Sequence, residues 1–287
     1  MTDVNEILNE RQNTLVNQVS EVSKSKFFNI RALAYCLGFI EQSVKQLDTS
    51  KLEDTYNLSF LNEDLPSEWI AREGNKLISE RFDGFNIIEG FPQTTRLTNY
   101  LRSQLFIALM AELENYLVDI IKIILLAYPD KLQSPHFNVA EVLKQDNAAD
   151  QIQEKVTNKI SKKLYASPIE FFNLLLRTLE METTINQLLL EQNITDKRAK
   201  EIRFNEISLK SLFPEYVEMK LRRDLGVHGG WERNEIYTTR ITKFGGKVYP
   251  GDFLAVDSDY FRRAVDVSIH IVAKCNNFCK LRFSGNT

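Results

Sequence analysis

The stretch RRDLGVHGGW, residues 222–231, brings Arg223, Asp224 and His228 into a single run of sequence. If it is helical, positions 224 and 228 are neighbours on one face, about 5 to 6 Å apart at Cβ, and the carboxylate can hold the imidazole. Gly229 and Gly230 follow the histidine and should end the helix there, where the dipole favours a charged or polarised ring. Arg223 points elsewhere around the cylinder, yet its planar fork can reach a phosphate set near the helix end. A proton-transferring group beside an anion stabiliser, without a nucleophilic serine or a redox centre, suits the cleavage of RNA. The 2′-hydroxyl of RNA is an internal nucleophile, so a protein need only take its proton, steady the charge on phosphorus and help the 5′-oxygen leave. DNA lacks that hydroxyl. The same residue types also make an ordinary solvated helix end, although such a helix would avoid Gly226 in its last turn.

The elements that must position these residues are helical by periodicity. Turns of helix are expected from about Val4 to Lys24, from Phe27 to Leu47 and from Pro66 to Glu80, and the Gly- and Pro-bearing stretch Phe82–Gln93 reads as a connection. A central core helix follows, with Leu105, Leu109, Leu113, Tyr116, Leu117 and Ile120 recurring three and four apart until Pro129 stops it. Ser167 and Pro168 open a second apolar helix, and residues 130–160 read as a mixed loop and helix insertion. Pro214 sits in the first turn of the motif helix, whose face runs through Val217, Leu221, Leu225 and His228. The runs EIYTTRITKF and KVYPGDFLAV about a glycine pair predict a short surface β-hairpin. Asp257 or Ser258 then caps a last helix, with Phe261, Ala264, Val265, Ser268, Ile271, Val272, Cys275, Phe278 and Cys279 on its apolar stripe and His270 off it.

Composition bounds the class. The chain has 287 residues, 43% of them apolar and 26% charged, as globular proteins do. Residues 1–150 carry 14 Lys and Arg against 22 Asp and Glu, and the remainder carry 22 against 17, so the second half is mildly basic and could meet a polyanion. Cys36, Cys275 and Cys279 are too few and too dispersed for a disulfide framework, which fits a reducing cytoplasm. Cys275 and Cys279, four apart on a helix, read as core thiols, and neither a metal nor a cofactor is implied. The N-terminus lacks an apolar signal region, and the longest apolar run, IIKIILLAY, is too short to span a bilayer, so a soluble protein without membrane association is expected.

The segment RRDLGVHGGWERNEIY resembles the signature of the HEPN family of all-α ribonuclease domains, in which an Arg and a polar residue precede a His four to six residues after the Arg. Arg223, Asp224 and His228 match in order and spacing. The following hairpin, Gly251 and Asp252, and the closing helix are also similar. Resemblance runs from about Leu97 to Arg282, and FIALMAELENYLVDII, with Glu114 shortly before Tyr116, resembles the family's leading helix. Glu114 is placed among the candidate substrate-binding residues with Lys220 and Arg222, and a structural salt bridge is the other reading of it. The expectation is an all-α, HEPN-like helical bundle over residues 96–284, with a small surface hairpin after the motif helix, preceded by an N-terminal helical region over residues 1–95. The resemblance implies metal-independent cleavage of RNA by a homodimer, with the two Arg/His segments meeting in one cleft and His228, Arg223 and Asp224 as catalytic residues. It further implies a toxin or antiphage-defence role, with an antitoxin or other defence protein as partner. A branch of the family regulated by a nucleotidyltransferase carries Tyr two residues after the His, where this chain has Gly230, and Tyr237 is no close substitute. The alternative is a catalytically silent module of the same fold that binds nucleotide, RNA or protein.

Overall fold

A computed structural model describes residues 4–46, 94–132, 138–179 and 208–283, apart from positions 144, 146, 167, 229, 244, 245 and 255. In chain order the helices are α1 (Val4–Gln46), α2 (Thr94–Ala127), a 3-10 turn (Pro129–Leu132), α3 (Val139–Val142), α4 (Ala148–Ala166), α5 (Pro168–Thr178), α6 (Phe213–His228), α7 (Glu235–Lys243) and α8 (Ser258–Phe283). The described residues are thus predominantly helical, and no β-strand occurs among them. None of the described helices is long and apolar enough to cross a membrane.

The bundle is built around α2. Leu109, Leu113, Tyr116, Leu117, Ile120, Ile121 and Ile124 are completely buried, so this helix is covered on nearly every side. Helices α1, α4, α5, α6 and α8 all pack on it. Pro129 ends it as expected, and the chain tightens into the 3-10 turn. Helix α4 turns the stripe Ala148, Ile152, Val156 and Ile160 inward, and α5 contributes Phe171, Phe172 and Leu175.

The two helices expected over residues 4–47 are one. Val4–Gln46 is a continuous helix of 43 residues, about 65 Å long at ~1.5 Å per residue, because no proline or glycine interrupts the pattern before Gly38. It runs antiparallel to α2. At one end the Gln12 amide donates to the Ala127 carbonyl (3.0 Å), satisfying a terminal acceptor of α2, and at the other Arg102 of α2 pairs with Glu41 (2.5 Å). Midway, the buried Tyr116 hydroxyl donates to the Val272 carbonyl of α8 and hydrogen-bonds with Ser23 of α1, both at 3.1 Å, tying three helices at one point. Leu15, Val19 and Ile30 of α1 lie in the same core as α2 and α8, on the far side of the boundary placed near residue 95. The helix expected over residues 66–80 lies outside the described residues.

The first arm of the expected hairpin is a helix. EIYTTRITK forms α7, capped by Asn234, whose side chain accepts the Tyr237 amide at 2.8 Å. Tyr237 and Ile241, one helical turn apart, are buried beneath it, so packing overrides the β preference of its Thr and Ile residues. What pairing exists lies outside this run, as one antiparallel bridge between Glu232 and Phe253. Helix α8 follows the sequence reading closely. Asp257 caps it by accepting the Tyr260 amide (2.7 Å), every residue of the expected stripe is buried and His270 is exposed. Burial pushes the Cys275 thiol up to about 12, as suits a core residue.

Candidate active site

Helix α6 carries the motif through the interior. Tyr216, Val217, Glu218, Met219, Lys220, Leu221, Arg222 and Leu225 are all buried, so one helix presents charged residues inward on two sides. Each charge has a partner, as burial requires.

On the side facing α2, Glu114 receives both Lys220 and Arg223. One terminal nitrogen of Arg223 lies 2.9 and 2.8 Å from the two carboxylate oxygens, and the Lys220 ammonium donates to the same group. The side chains are 21% exposed for Arg223, 15% for Glu114 and 9% for Lys220, so this cluster is only partly open to solvent. The completely buried Tyr216 hydroxyl has no hydrogen-bond partner among the described residues. Burial raises its pKa well above the ordinary value, and the Glu114 charge adds to the rise.

On the opposite side Glu218 is the hub of a second cluster. Its carboxylate accepts from Arg222 Nε (2.8 Å), from the Tyr237 hydroxyl of α7 (2.7 Å) and from the Tyr260 hydroxyl of α8. The Arg222 guanidinium stands over the Tyr260 ring at 3.8 Å and over the Tyr249 ring at 4.5 Å. Arg222, expected to contact substrate, is 2% exposed and is instead part of the interior. Burial opposes its charge, but Tyr260 and Glu218 outweigh that and raise its pKa. Tyr237 is also buried, its hydroxyl turned to Glu218 and away from solvent.

The third side carries His228. It is the last residue of α6 and is exposed, as the glycines after it predict. Below it a groove of about 230 Å³ opens between α6 and α7, with Leu221, Leu225 and Ile236 as apolar walls and Asp224, His228 and Asn234 as polar ones. Asp224 does not hold the imidazole. Its nearest ionic partner is Arg223 Nε at 3.3 Å, and His228 has no hydrogen-bond partner among the described residues. The structure therefore gathers Arg223, Asp224, Lys220 and Glu114 into one ionic cluster, sets His228 beside the groove and withdraws Arg222 from both.

Gly226 now has an explanation. A Cβ added there would clash with the indole ring of Trp231, which folds back over the last turn of α6. Trp231 adopts φ 69°, rare for a bulky residue, and is held there by its amide on the Leu225 carbonyl (3.2 Å), its own carbonyl on the Leu254 amide (2.8 Å) and its ring 6.2 Å from that of Phe106. Sequence reasoning passed over Trp231, Glu218 and Tyr260. The available signal was the pair Glu218 and Arg222, one turn apart on a helix otherwise lined with apolar residues.

No family model, curated protein or solved structure matches the chain. Among the described residues no group of three or more His, Cys, Asp or Glu gathers as metal ligands would.

Proposed function

We propose that the chain is a metal-independent endoribonuclease in which His228 moves the proton and Arg223 steadies the phosphate. The observation that carries this reading is the exposed histidine at the C-terminus of α6, beside a groove and one turn beyond an arginine whose partner is another side chain. The 2′-oxygen of the substrate attacks the adjacent phosphorus as its proton passes to an imidazole. The bond from phosphorus to the 5′-oxygen breaks, a proton is returned to that oxygen, and a 2′,3′-cyclic phosphate and a 5′-hydroxyl remain. For Arg223 to meet the phosphate it must exchange Glu114 for it, a like-for-like swap of one oxyanion for another. The all-helical bundle agrees with the HEPN resemblance, and a role in a toxin or antiphage system follows from that resemblance alone.

A single chain offers one Arg223 and one His228, so two copies related by a twofold axis would supply the pair that embraces a phosphate. Val227 and Phe253, which are 46% and 59% exposed, offer apolar contacts for a second copy near this end of α6. Light scattering is expected to return about twice the chain mass, and specific activity should fall as the dimer is diluted apart. Undiminished activity of a monomer removes the composite cleft.

Purified protein is expected to cut RNA in EDTA and to leave the cyclic phosphate, while a substrate with 2′-deoxy at the cut position stays whole. Cleavage of the deoxy substrate, or strict dependence on added magnesium, refutes the mechanism. A second reading, a silent module that binds RNA, nucleotide or protein, is favoured by the closed pairing of Arg223 with Glu114 and by the missing contact between Asp224 and His228. Intact RNA under every condition would leave that reading in place.

A further inference from the structure

The groove beside His228 has one more wall, and it is basic. Arg240 on α7 lines it, is exposed, and makes no hydrogen bond or ion pair among the described residues. The cations of the motif are differently placed. Lys220 and Arg223 share Glu114, and Arg222 lies buried on Glu218. An anion reaching His228 therefore meets Arg240 as a cation that it need not take from another side chain.

We propose that this groove seats one nucleotide of single-stranded RNA, with Arg240 on its phosphate and its base against Leu221, Leu225 and Ile236. This deepens the ribonuclease reading and rests on it for the choice of ligand. At about 230 Å³ the groove lies below the roughly 300 to 1,000 Å³ of sites that enclose drug-sized ligands, so it takes the base and leaves the phosphate at its rim, where Arg240 stands. The chemistry fits as well. Apolar walls reward an unstacked base, which a duplex does not present, and Asn234 and Asp224 offer hydrogen-bonding groups to a base edge or a ribose hydroxyl. Arg240 binds the phosphate of the nucleotide held in the groove, and Arg223 remains the group that meets the scissile one.

The test uses a short single-stranded 2′-O-methyl oligonucleotide, which cannot be cut by this chemistry, with binding read by fluorescence anisotropy across a salt series. Arg240→Gln is expected to weaken binding roughly tenfold, as loss of a charge-assisted hydrogen bond does. It should also flatten the plot of log affinity against log salt by about 0.7, the loss of one phosphate contact on a single strand. Arg262→Gln removes the same charge from α8, which does not line the groove, and should change neither quantity. A wild type that fails to bind, or an Arg240→Gln protein that matches it in affinity and slope, overturns the proposal. The two readings fail separately. Arg240-dependent binding without cleavage of natural RNA keeps the groove and removes the nuclease, while cleavage by an Arg240→Gln protein of unchanged affinity and slope keeps the nuclease and removes the groove.

Discussion

His228→Ala is expected to lower the single-turnover rate of RNA cleavage by about 10²- to 10⁴-fold, the range over which a positioned acid or base contributes. Its melting temperature should hardly move, because the ring is exposed and makes no hydrogen bond among the described residues. Surface substitutions of this kind stay within about 0.5 kcal/mol. Arg223→Ala should differ in one respect. It too should lose cleavage, but it also deprives the half-buried Glu114 of one of two cationic partners, so some loss of stability accompanies it. A His228→Ala protein that cuts RNA at the wild-type rate would assign the histidine to the helix end alone.

Glu218→Ala is expected to have the opposite profile, with a loss of about 3 to 5 kcal/mol in urea unfolding, as follows from stranding one member of a buried ion pair. Arg222 would remain 2% exposed without its carboxylate, and the hydroxyls of Tyr237 and Tyr260 would lose their acceptor. Replacing both partners by apolar residues of similar volume, Glu218→Leu with Arg222→Met, should recover much of that loss, since the uncompensated charge is then gone. A cost below about 1 kcal/mol for the single change would show that the cluster does not carry the packing of α6 against α7 and α8.

Much of the bundle was legible because it is written in local pattern. The apolar recurrence of α2, the stripe of α8 from Phe261 to Cys279, and Pro129 and Pro168 at element boundaries are read over a few turns of one helix, and the structure places them as read. Where the reading failed, a distant partner decides. Glu114 lies 106 residues from Lys220 and 109 from Arg223, and Tyr260 lies 42 from Glu218, so no window on α6 reveals that its charges face inward. The same holds for α7. Its Thr and Ile residues favour a strand in isolation, and it becomes helical over a core to which Tyr237 and Ile241 are recruited. Of the site, the position of His228 was legible from the glycines that end its helix, whereas the choice of Arg223 as the partner of Asp224 was not.

The fold of Trp231 over Gly226 bears on how this molecule can change. The Trp231 carbonyl, which accepts the Leu254 amide, and the neighbouring bridge from Glu232 to Phe253 fasten together the two ends of the excursion that contains α7. With its neck closed in this way, the excursion behaves as a cassette on the bundle, and it carries Ile236 and Arg240, the outer wall of the groove. Its inner face is bound to the frame, through Tyr237 on Glu218 and Tyr249 beneath Arg222, whereas Ile236 and Arg240 are exposed and carry none of that packing. The exposed side chains of the groove's outer wall can therefore change, while the histidine at the end of α6 stays where it is.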